Sequence, residues 1–60
     1  MPAYTLYCFQ GHKLELCERF TAPDDDAAVA DSHRLQAGRA AELWCEDDHR
    51  KVREFAPAAA

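Results

Sequence analysis

Pro23 followed by Asp24, Asp25 and Asp26 is the segment that most restricts what this chain can fold into. Proline offers no donor to a strand ladder and disfavours helix in the residue before it, so strand structure must stop at Ala22. Carboxylates directly after it suit the positive end of a helix, with Asp24 placed to accept from a first-turn amide. This tetrapeptide therefore ends one kind of structure and starts another.

Before the boundary, Tyr4-Thr5-Leu6-Tyr7-Cys8-Phe9 is β-branched and aromatic with neither Gly nor Pro, the composition of a strand. Gln10-Gly11-His12-Lys13 supplies turn chemistry and Leu14 to Thr21 resumes the strand pattern, so a β-hairpin is expected. After the boundary the sequence predicts a helix of about three turns. Ala28, Ser32 and Leu35, with Val29 beside them, form a small-residue stripe for the core, while Asp31, His33 and Arg34 face water. Gly38 stands where a left-handed cap would end the helix. Residues 40–45 predict a third strand on the strength of Leu43-Trp44-Cys45. Glu46-Asp47-Asp48-His49 reads as a loop, and Arg50 to Phe55 as a charged strand of the kind found at sheet edges. Residues 56–60 are expected to be a flexible tail.

The order ββαββ makes this an α+β chain with one domain over residues 1–55. A right-handed crossover from strand two to strand three leaves room for strand one between them, giving a mixed or antiparallel sheet in the order 2-1-3-4 with one helix on one face. Thr5 marks the outward parity of strand one, so Tyr4, Leu6 and Cys8 point to the helix. In strand three Ala41, Leu43 and Cys45 point inward. Tyr7, Phe9 and Trp44 are then left as an aromatic cluster on the open face. Burying each such ring is worth roughly 1.5–3 kcal/mol, a large share of a small domain's stability. A second copy is expected to cover them, in a homodimer packed sheet to sheet or edge to edge. The alternative is a different hairpin register, or the tail, burying the rings within one chain.

Composition narrows the function classes. A chain of 60 residues buries only about 60% of its unfolded surface, which excludes a multidomain enzyme and leaves a monomer marginal. Its 11 acidic residues against 7 basic ones, a net charge of −4, argue against nucleic-acid binding. The basic cluster Arg50, Lys51 and Arg53 reads instead as protection of a sheet edge. An apolar share of 48% is too rich for a disordered chain. No apolar run reaches the length of a signal-peptide core or a membrane span, so a cytoplasmic protein without a membrane partner is expected.

The three cysteines, Cys8, Cys17 and Cys45, include no CxxC pair and read as small buried hydrophobes. Cys45 and His49, four residues apart, are weak candidates for zinc, as are Cys8, Cys17 and His12 across the hairpin; neither spacing is a recognised one. Asp24, Asp25 and Asp26 could bind a hard cation but suit helix capping better, and no EF-hand spacing is present. No metal or cofactor is expected. A Cys-His nucleophile would need a pocket, which a domain of this size has little room to build except between protomers, with Cys8 or Cys45 near His12 or His33. Enzymatic activity is therefore not expected.

Tyr4-x-Leu6-Tyr7, Gly11-His12, Asp24 to Asp26 with Ala28, Leu35 and Gly38, and Glu42-Leu43-Trp44 with Arg50 and Val52 together resemble a family of short uncharacterised bacterial proteins. The likeness runs over nearly the whole chain. It departs at Ala27, where that family is more acidic, and at Asp31 and Ser32, where it has larger helix residues. It implies a stand-alone bacterial protein with these boundaries and, since the family has no assigned activity, carries over no catalytic residue.

Two functions follow as expectations. The first is a non-enzymatic homodimeric interaction module using Tyr7, Phe9 and Trp44, with its acidic helix start and loops open to a further protein partner. The alternative is a small acidic decoy for a basic, nucleic-acid-handling surface on a larger protein. A decoy needs its carboxylates in one stripe, so the two turn on whether Asp24–Asp26 and Glu46–Asp48 share a rim.

Overall fold

The computed structural model of the protein describes residues 1–57. Two strands, β1 (Ala3–Gln10) and β2 (Lys13–Thr21), precede the helix α1 (Asp25–Leu35), and β3 (Ala41–Cys45) and β4 (Arg50–Phe55) follow it. The sheet runs in the order β2-β1-β3-β4, as the sequence predicts, and every neighbouring pair is antiparallel. Residues 58–60 of the expected tail lie outside the described residues; Ala56 and Pro57 are exposed.

Local chemistry explains the boundaries. Gly11, at φ 65°, takes the left-handed conformation that the β1–β2 turn requires. Asp24 is the N-cap, its Oδ1 accepting from Ala27 N at 2.8 Å, with Asp25 and Asp26 in the first turn. The helix ends earlier than Gly38 suggests, with Gln36 as C-cap. Ala37 is already left-handed at φ 53°, followed by Gly38 at 77°. The helix end is closed by Arg39, whose Nε donates to Gln36 O at 2.8 Å and whose Nη2 donates to Leu35 O at 3.2 Å. A left-handed non-glycine residue costs about 1–2 kcal/mol, of which glycine's extra unfolded freedom cancels part. Ala37→Gly is therefore expected to stabilise the domain by about 0.5–1 kcal/mol, read as a higher urea midpoint with unchanged slope.

The core lies between the helix and one sheet face, where Tyr4, Leu6, Cys8, Ala41, Leu43, Cys45 and Phe55 meet Ala28 of the helix. Ser32 is also buried, its Oγ donating to Ala28 O at 2.8 Å, so a small polar residue is tolerated at the seam. His33, expected to face water alone, also sets its ring edge-on against Phe55, centroids 5.0 Å apart. Both outer strands carry an irregularity. The β1–β2 register steps from Leu6↔Glu18 to Tyr7↔Leu16, leaving Cys17 as an extra residue, and the β3–β4 register steps from Leu43↔Arg53 to Trp44↔Lys51, leaving Val52. Each extra residue packs against the core. Edge strands are where bulges are common, and here each turns one more apolar side chain inward.

Candidate functional site

Two surfaces bring functional side chains together. The first is the sheet face opposite the helix. Register places Phe9 beside Leu14, Tyr7 between Leu16 and Glu42, and Thr5 between Arg19 and Trp44. All of these share the outward parity set by Thr5. Tyr7, Phe9 and Trp44 are half-buried. Trp44 Nε1 donates to Glu42 Oε1 at 3.1 Å, and Lys51 Nζ lies 6.0 Å from the Trp44 ring centroid. The large apolar exposure falls instead on Leu14 and Leu16, 42% and 58% exposed. The alternation Leu14-x-Leu16 is the sequence signal that puts both leucines on one face.

An open groove of about 400 Å³ crosses this face, walled by Tyr7, Leu14, Trp44 and Glu42. Thr5 is on its floor, only 2% exposed, and its Oγ1 has no hydrogen-bond partner among the described residues. The rim carries both signs of charge: Arg19 pairs with Glu46 at 3.1 Å and Lys51 with Glu54 at 2.6 Å. Salt bridges this exposed contribute little to stability.

The second surface is acidic. Asp24, Asp25 and Asp26 at the helix start and Asp47 and Asp48 in the β3–β4 loop line one depression of about 550 Å³, with Arg50 among them. Arg50 is the bridge between the clusters: Nη1 donates to Asp25 Oδ2 at 3.0 Å and Nε to Asp48 Oδ2 at 3.1 Å. Tyr4 OH, reaching out from the core, donates to Asp25 Oδ1 at 2.7 Å. The two clusters, one a helix cap and the other a loop, thus share one rim and are joined by Arg50 from the edge strand.

These contacts shift protonation. Asp25 is held below the usual carboxylate range first by the Arg50 guanidinium and then by the Tyr4 hydroxyl. Asp48 is lowered by Arg50 and then by the Cys45 thiol. The Tyr4 phenol is pushed up to about 12, chiefly because its proton is held by Asp25 and secondarily by burial. The lowered carboxylates add stability above the ordinary carboxylate range, and that stability is lost as pH falls through their folded values. Tyr4 adds stability below its ordinary value of 10.0, lost as pH rises through about 12. Melting temperature measured against pH is expected to be flat through neutrality and to fall on both sides. Tyr4→Phe should flatten the alkaline limb, leaving the part due to Cys8 and Lys51, whose values are also raised.

Of the weak zinc candidates, Cys45 is buried in the core and His49 is exposed in the loop at φ 51°, while Cys8 is buried, Cys17 half-buried and His12 exposed in the β1–β2 turn. Among the described residues no group of three or more His, Cys, Asp and Glu side chains is arranged to hold a metal ion. No described helix is long and apolar enough to cross a membrane. Comparison with protein-family models, with curated proteins and with solved structures finds no match to this chain.

Proposed function

We propose that this protein is a binding module that acts as a homodimer, its open sheet face being the surface through which two copies meet. The observation that carries the reading is the exposed pair Leu14 and Leu16 standing beside Phe9, Tyr7 and Trp44 on the face the helix does not cover. Contiguous apolar surface of this kind marks association sites. A second copy suits the rim, because Arg19 and Lys51 stand near Glu42, Glu46 and Glu54, so a two-fold axis can set each sign against its opposite. A sheet of four strands with one short helix also has little chain to cover its own second face. The acidic rim remains available to a further protein partner.

Sedimentation velocity of the whole chain over a dilution series tests this. A species at twice the 6.8 kDa chain mass that dissociates on dilution is expected. A single 6.8 kDa species at every concentration would contradict it.

The shared acidic rim favours a second reading, that of a decoy for a basic surface, since five aspartates now border one depression. It ranks below the first because Arg50 already pairs with Asp25 and Asp48, and Asp24 caps the helix. Asp26→Lys with Asp47→Lys should abolish capture of a basic partner while leaving self-association intact.

A further inference from the structure

Cys8 and Cys17 read from the sequence as small buried hydrophobes, and the β2 bulge adds a further feature to their setting. Cys8 stands opposite Glu15, and Cys17 is the extra residue between Leu16 and Glu18, so the thiols are diagonal neighbours on adjacent strands. Both face the helix: Cys8 is in the core, and Cys17 packs against it while its Sγ donates to Leu35 O at 3.7 Å. The two thiols stand close enough for Cys17 to contribute to the raised value of Cys8. Cys8 is fully buried, whereas Cys17 is only half-buried on an edge strand where a small oxidant can reach it. Arg39 places a guanidinium nitrogen 3.3 Å from the Cys17 sulfur, the cationic, partly exposed setting in which reactive thiols occur. Cys45 is remote: it pairs with Tyr4, four residues along β1 from Cys8, or about 13 Å.

We propose that Cys17 and Cys8 are a peroxide-responsive thiol pair, Cys17 being the residue oxidised and Cys8 the one that resolves it as an intramolecular disulfide. The Cys17 proton is released to solvent, and the thiolate attacks one oxygen of hydrogen peroxide. An S–O bond forms as the O–O bond breaks, the sulfur is oxidised by two electrons, and the departing hydroxide takes a proton to become water. Cys8 then gives up its proton and attacks the sulfenic sulfur; the S–S bond forms, the S–O bond breaks, and a second water leaves. The sum is two thiols and one peroxide giving one disulfide and two waters. Burial, and after it the neighbouring Cys17, push the Cys8 thiol up to about 11, which leaves Cys17 as the thiol that meets peroxide first. Diagonal neighbours ordinarily stand about 7–8 Å apart at Cα, slightly more than a disulfide spans, and the bulge is where β2 can move to close the difference. The crosslink ties β2, with Leu14 and Leu16, to β1.

The test treats the reduced full chain with hydrogen peroxide, caps remaining thiols with N-ethylmaleimide under denaturing conditions, and maps the product with trypsin. Cleavage after Lys13 separates Cys8 in residues 1–13 from Cys17 in residues 14–19, so the disulfide appears as those two peptides joined. Cys45 should carry the maleimide. Cys8→Ser should leave a Cys17 sulfenic acid that dimedone traps, Cys17→Ser should leave Cys8 reduced, and Arg39→Gln should oxidise several-fold more slowly than wild type. Oxidation of Cys17 no faster in the folded than in the urea-unfolded chain, or a disulfide engaging Cys45 or a second copy, would overturn the proposal. The wild-type comparison stands whether or not the variants fold.

Discussion

Leu43→Ala is expected to leave the domain close to or beyond the edge of folding. Leu43 is fully buried and pairs with the equally buried Leu6 across β1 and β3, at the centre of the sheet. Truncating a leucine there costs about 2–5 kcal/mol, the larger values applying where the surroundings cannot collapse into the hole. The buried helix residues are Ala28 and Ser32, too short to reach down and fill it, so the cost should fall in the upper part of that range. A domain of this length has about 3–9 kcal/mol in total. Urea denaturation should show the midpoint collapsing or the native baseline disappearing. A variant with a wild-type midpoint would mean that the helix does not pack where the register places it.

Leu16→Arg addresses the opposite face and should do the reverse, leaving the fold and removing the association. Leu16 makes no contribution to the helix-side core, so a monomer loses little by the change. In a two-fold dimer the substitution is made twice, and it puts two new cations into an apolar contact. An anchor position costs about 2 kcal/mol or more on truncation, so two copies should weaken dimerisation by about three orders of magnitude. Analytical ultracentrifugation should find a folded monomer. Asp26→Lys, on the acidic rim, should dimerise like wild type, which separates the two surfaces from any general effect of charge.

Much of this architecture was legible because its signals are local. Pro23 and Asp24 mark the stop and start by chemistry that acts within one turn, and Thr5 among aromatics sets the parity of β1. The pairing order 2-1-3-4 followed from the handedness of a crossover. What could not be read depends on contacts distant in sequence. The bulges at Cys17 and Val52 each insert one residue into an alternation, and nothing in Leu14-Glu15-Leu16-Cys17-Glu18 marks which residue is the extra one. The placement of Cys17 beside Arg39 and Leu35 therefore cannot be read from its own strand. Ala37 in a left-handed cap contradicts its own propensity and is held there by Arg39 from beyond the helix. The meeting of the two acidic clusters needs β4 to bring Arg50 beside the helix start, and no spacing along the chain encodes it.

In the proposed dimer the open sheet face, rather than the acidic rim, is where two copies meet. Amide and side-chain chemical shifts of the whole chain recorded over a dilution series test it residue by residue. Concentration-dependent shifts are expected at Tyr7, Phe9, Leu14, Leu16 and the Trp44 indole, with Asp25, Asp26 and Asp48 unmoved. Spectra independent of concentration, or shifts confined to the aspartates and Arg50, would contradict it.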